Sequence, residues 1–234
     1  EKFMTLFFFG IFFKFLLIFS LSWLFFKINP KFADAHSNLG SALGNRGELD
    51  IALDSFSQAI KIEPKSADAY NNMGNVLQEQ GDFIRAIHSY KTAIKVRPNF
   101  AEAYINMGIA LSGIIFKKPN RGLQNTISSL LDKKLYVRPM AIAEAAISLL
   151  KFELSLKKQL KFLNCDNVIQ NPLDIISELD ELPLLRKLMS VCPLPDLELE
   201  KLFKNLRASI LENISSLKEA PPELLRFQSA LALQ

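Results

Sequence analysis

The chain has 234 residues, 49% of them hydrophobic, a formal charge of +4 and two cysteines. That balance excludes a disordered chain and a disulfide framework, and no CxxC or Cys/His cluster points to zinc. Ten of the nineteen phenylalanines lie in the first 26 residues, and taking away residues 1–31, with four Lys and one Glu, lowers the charge to +1. The basic balance therefore belongs to one end and does not mark a nucleic-acid binder.

The first predicted element is that end. From Phe3 to Phe26, 19 of 24 residues are apolar. As a helix they would extend about 36 Å at ~1.5 Å per residue, enough to cross a ~30 Å hydrocarbon core. Lys14 interrupts the run; a central Lys costs roughly 2.5–3.5 kcal/mol, while each Phe, Leu or Ile gains about 0.3–0.6. Insertion wins on that balance. Residues 1–28 are therefore read as a candidate transmembrane anchor, with Lys27 and Lys31 placing the rest of the chain on the cytoplasmic side. A secretory signal is disfavoured because no small-x-small site separates Trp23 from Lys27. Two alternatives stay open, an apolar helix docked as a cap on the next segment and a stretch that is not native protein.

Residues 29–118 hold an internal repeat. Pro30, Pro64 and Pro98 stand 34 residues apart. Ala33-Asp34-Ala35-His36-Ser37-Asn38-Leu39-Gly40 aligns with Ala67-Asp68-Ala69-Tyr70-Asn71-Asn72-Met73-Gly74, and both align with Ala101-Glu102-Ala103-Tyr104-Ile105-Asn106-Met107-Gly108. Gly47, Ala52, Phe56 and Ala59 recur as Gly81, Ala86, Tyr90 and Ala93. Gly47 and Gly81 suit left-handed ends of the first helices, and Pro64 and Pro98 stop the second helices. Gly40, Gly74 and Gly108 each cost a helix about 1 kcal/mol relative to Ala. That cost makes sense where a second helix crosses closely. Each unit is a helix–turn–helix hairpin that must stack on neighbours to bury its apolar face.

This pattern resembles the tetratricopeptide repeat (TPR). The resemblance covers two full repeats, 33–66 and 67–100, and a partial third over 101–118, where Ile115 and Asn120 stand in the places of the turn Gly and the small Ala. It implies an all-α solenoid whose first helices line a groove for polypeptide. Asn38, Asn72 and Asn106 stand one place before each Leu/Met-Gly pair, and an amide carries both a donor and an acceptor for a peptide unit. The row is similar to the asparagine ladder in the repeats of O-linked N-acetylglucosamine transferases. Asn71 and Asn75 are expected to add to the same face. Solvated polar positions are the plain alternative. No cation occupies the places where other TPR modules clamp a C-terminal carboxylate, and Asp34, Asp68, Glu102 and Glu79 favour a neutral or basic ligand. His36 and His88 have no catalytic partner in the sequence.

Residues 119–234 contain no glycine beyond Gly122. Prolines at 139, 172, 183, 195, 221 and 222 punctuate the stretch, and helices are expected over 121–135, 139–163, 172–181, 183–191, 195–217 and 222–233. No GxGxxG, Walker loop, HExxH or nucleophile elbow occurs. The basic groups at 133–134, 157–161 and 186–187 read as solvated faces. The stretch resembles the helical connector that joins TPRs to a downstream transferase domain in bacterial proteins. With Glu at the start and a helical pattern running to Gln234, the chain is expected to be a fragment of a larger one.

The sequence thus leads to an all-α TPR solenoid with an irregular helical C-terminal region. Its expected function is a cytoplasmic, non-catalytic scaffold for extended polypeptide, with no cofactor, metal or nucleic acid and a membrane contact through residues 3–26. The alternative is the substrate-recruiting part of a methyltransferase- or glycosyltransferase-like protein.

Overall fold

The computed structural model describes residues 31–163, 169, 171–213 and 222–231. The anchor, cap and signal readings of residues 1–28 fall outside them, as does Cys165. Every regular element among the described residues is a helix. No helix among them is long and apolar enough to cross a membrane. The chain divides into two compact units between Asp82 and Phe83, inside the second repeat.

The first unit contains α1 (Lys31–Asn45), α2 (Leu49–Ile62) and α3 (Ala67–Glu79). Gly47 sits at φ 79° and closes α1: its N–H donates to the Gly44 carbonyl, and that of Glu48 to the Leu43 carbonyl at 2.9 Å. Gly81 repeats the arrangement at φ 79°, with Asp82 N–H on the Leu77 carbonyl at 2.9 Å. A side chain at such a φ is strained, so glycine is the residue the turn asks for. The Ser66 hydroxyl accepts the Ala69 N–H at the start of α3. Ala52 and Phe56 from α2 and Val76 from α3 form the core, with Leu43, Leu49, Leu53 and Met73 around them. Phe56 lies against the backbone of α1, where a Cβ added at Gly40 would meet its ring at 3.0 Å. The helix glycine of the repeat is thus a seat for the aromatic residue of its own hairpin.

The second unit opens with α4 (Phe83–Val96) and α5 (Ala101–Leu111), which pack against each other. Gly113, at φ 77°, ends the run after α5. It falls two residues before the register of Gly47 and Gly81. Seven helical pieces come next: α6 (Arg121–Leu131), a 3-10 turn (Pro139–Ile142), α7 (Ala143–Leu150), α8 (Leu154–Leu163), α9 (Pro172–Asp180), α10 (Pro183–Met189) and α11 (Leu197–Asn213), with α12 (Pro222–Leu231) last. Pro139, Pro172, Pro183 and Pro222 open their elements, as proline at a first helical position should. Pro195 does not. There Asp196 caps α11, its carboxylate accepting the Leu199 N–H at 3.1 Å.

Two expected helices are shorter than their sequence patterns. The one expected over 121–135 stops at Leu131, and the one over 139–163 is three pieces with a turn at 151–153. Lys151, in that turn, meets Asp196 at 2.6 Å and Glu198 at 2.7 Å. Burial works against its charge, but the two carboxylate hydrogen bonds outweigh it and raise the ammonium above its ordinary value. Buried Leu185, Leu188, Met189, Leu199, Leu202, Phe203 and Leu206 supply much of the unit's interior. The rings of Phe203 and Phe227 lie 5.8 Å apart there. Cys192 is buried among them, and burial pushes its thiol up, as suits a small apolar residue.

Candidate functional site

A helix that packs along one stripe leaves the opposite stripe to solvent, with residues i, i+4, i+7 and i+11 in line. On α3 the buried residues are Ala67, Ala69, Asn71, Gly74, Val76 and Leu77. The outward line left over is Asp68, Asn72, Asn75 and Glu79, all exposed except half-buried Asn72. On α1 the corresponding line is Asp34, Asn38, Ser41 and Asn45, all exposed except half-buried Ser41. Within the first unit, each first helix therefore presents a carboxylate, then an amide one turn on, then further polar groups. None of these positions carries a cation.

The second unit repeats the line on α5 with one change. Glu102 is exposed and Asn106 half-buried, but the next place is Ile109, 54% exposed. Ile105 beside it is 43% exposed. Behind this face, Tyr90 is fully buried, and burial, aided by the Glu102 carboxylate, pushes its phenol far above the ordinary value. Tyr104 donates its hydroxyl to the Pro98 carbonyl at 3.1 Å and stacks on Tyr136 at 5.5 Å.

Of the five asparagines expected to face a ligand, Asn38 and Asn75 are exposed, and Asn72 and Asn106 are half-buried. Asn71 departs from the expectation. It is 1% exposed and engaged within the chain, because it shares the buried stripe of Ala67 and Gly74 at i, i+4 and i+7. An amide closed off in this way cannot present itself to a ligand.

The sequence reading also missed what stands against Gly108. In the third repeat the residue beside the helix glycine is Val137, whose methyl groups would meet an added Cβ at 3.0 and 3.1 Å. The segment from Lys133 to Ile142, with Tyr136 on Tyr104 and the 3-10 turn against α5, supplies this contact, although α6 is the helix that follows α5 in the chain. Nothing periodic in the sequence announces that. Among the described residues, no group of three His, Cys, Asp or Glu could hold a metal ion.

The hairpins, their glycine turns and their 34-residue register define a helical-repeat protein. Two family models match within this region, one described as TPR repeat over residues 45–81 and one as tetratricopeptide repeat over residues 67–100. Residues 45–100 are thus TPR repeats, and TPR repeats are interaction modules that typically bind polypeptide partners. Among solved structures, a thermophilic TPR protein of Thermus thermophilus is similar at 20% identity, with a TM-score of 0.38, over 86% of this chain and 100% of that one. No curated protein matches.

Proposed function

We propose that the chain is a non-catalytic scaffold that holds an extended, neutral or basic polypeptide on the outward faces of its first helices. One observation carries the reading: on both α1 and α3 an exposed carboxylate is followed four residues later by an asparagine that solvent reaches. The amide of Asn38 or Asn72 can donate to a ligand carbonyl and accept from a ligand N–H at once. The carboxylates of Asp34, Asp68 and Glu79 favour cationic side chains and disfavour a terminal carboxylate. Asn106 joins the site by its sequence register alone. Asn71 is left out, being closed off from solvent.

The test uses the full chain. Peptides selected from a random display library are titrated against the wild type and against Asn38→Ala/Asn72→Ala/Asn106→Ala. At about 0.5–1.5 kcal/mol for each lost hydrogen bond, the triple variant should bind at least tenfold more weakly. Unchanged affinity would contradict the proposal.

A second reading makes these repeats the recruiting arm of a larger transferase. The glycine-free helical packing beyond Gly122 supports it, as a connector needs no phosphate-binding turn. Reading the encoding sequence past Gln234 tests it: an in-frame glycine-rich cofactor motif favours the transferase, and a stop codon rules it out.

A further inference from the structure

The second unit holds a turn that is packed on one side and projects on the other. The Lys133 carbonyl accepts the Tyr136 N–H at 2.9 Å and the Val137 N–H at 3.1 Å, which makes Lys134 and Leu135 the central residues of the turn. Its inward side is fixed, with Tyr136 stacked on Tyr104 and buried Val137 in the seat above Gly108. Its outward side is unlike an ordinary solvated loop. Leu135 is 86% exposed, more than any other large apolar side chain among the described residues. Lys133, Lys134 and Arg138 flank it and are all exposed, and the Lys133 ammonium lies 5.6 Å from the centre of the Tyr104 ring. The adjoining carboxylate, Asp132, is already paired with Lys187. The wider stretch adds to the positive field, with ten Lys and Arg against three Asp and Glu from Ser112 to Leu163.

We propose that this turn docks on an anionic phospholipid surface. Leu135 enters the headgroup layer, and Lys133, Lys134 and Arg138 pair with lipid phosphate and carboxylate oxygens around it. Interfacial binding grows with buried apolar area and with attraction of cations to acidic lipid, and the turn supplies both within six residues. The guanidinium of Arg138 suits a phosphate, which it can grip through two N–H groups. An acidic polypeptide would satisfy the charges, but it would also have to offer a pocket for an apolar tip that projects. A headgroup layer yields to such a tip without a preformed pocket. Because Tyr136 and Val137 already hold the backbone, docking does not have to order the turn first.

The experiment is read at the turn itself, in the full chain. With Cys165 and Cys192 replaced by Ala, Leu135→Cys carries an environment-sensitive NBD dye. The labelled chain is titrated with phosphatidylcholine vesicles, with and without phosphatidylserine. The proposal predicts blue-shifted dye emission on the anionic vesicles alone, weakened by added salt. At about a factor of five for each charge, Lys133→Gln/Lys134→Gln/Arg138→Gln should need on the order of a hundredfold more lipid for the same response. Should that variant fail to fold, the salt dependence of the labelled chain carries the same test. A dye that stays in water with both kinds of vesicle overturns the proposal. So does an equal response to both, which would take the cations out of the contact. A stronger response to polyglutamate than to anionic vesicles overturns it too, and would make an acidic polypeptide the partner.

Discussion

The first helices of the first and third repeats carry the same glycine and solve the same packing problem in different ways. Gly40 of α1 receives the ring of Phe56 from the next helix of its own hairpin. Gly108 of α5 receives Val137 from an irregular segment that ends in a 3-10 turn. The comparison teaches that the repeat specifies a filled seat above its glycine and not a particular element to fill it. In the third repeat a segment beyond α6, with a β-branched residue and a stacked tyrosine, fills that seat.

The largest effect is expected where the regular solution is broken. Phe56 is fully buried against α1 and Val76, so Phe56→Ala should cost about 3–5 kcal/mol in denaturant unfolding. A loss under 1 kcal/mol would mean that the hairpin does not depend on its aromatic seat.

The irregular solution is tested next. Gly108→Ala forces a methyl group to within 3.0 Å of Val137, and overpacking of this kind costs about 1–3 kcal/mol. Combining it with Val137→Ala should recover part of the loss in a double-mutant cycle. Strict additivity of the two changes would show that Val137 is not the residue filling the seat.

The smallest expected effect lies on the surface of the second unit. Glu178 accepts from Lys158 at 2.6 Å and from Gln159 at 2.7 Å, and these bonds, Lys158 first, hold its carboxyl below the usual range. A folded-state value below the unfolded one contributes stability above about pH 4.5 and loses it as pH falls through the folded value. Because both side chains are more than a third exposed to solvent, Lys158→Met should cost only about 0.2–0.5 kcal/mol at pH 7. Comparing unfolding curves at pH 7 and pH 3 checks it: the difference between variant and wild type should shrink at the lower pH.

What the sequence made legible is what recurs. The helix-ending glycines at 47 and 81, the core aromatics Phe56 and Tyr90 and the small Ala52, Ala59, Ala86 and Ala93 all lie where a 34-residue period puts them, and all four alanines are buried. What it hid is either non-local or set by a single helical turn. Val137 reaches Gly108 from outside the period, so no alignment of repeats points to it. Asn71 looks like its neighbour Asn72 by composition, but one step around the helix moves it from the solvent stripe into the buried one. The break at 151–153 interrupts a continuous apolar pattern, and the carboxylates that meet Lys151 come from residues 196 and 198. Of the candidate site, the positions of Asn38, Asn72 and Asn106 were legible and their differing exposure was not.

The central claim is that asparagine side chains read the backbone of a bound polypeptide. It is tested most directly by scanning one selected peptide twice, once by alanine substitution and once by N-methylation of single amides. The account predicts that most alanine substitutions are tolerated, while N-methylation at the amides opposite Asn38 and Asn72 weakens binding about tenfold or more, as loss of a donor and a clash require. A peptide that tolerates every N-methyl group but fails on single side-chain truncations would contradict it.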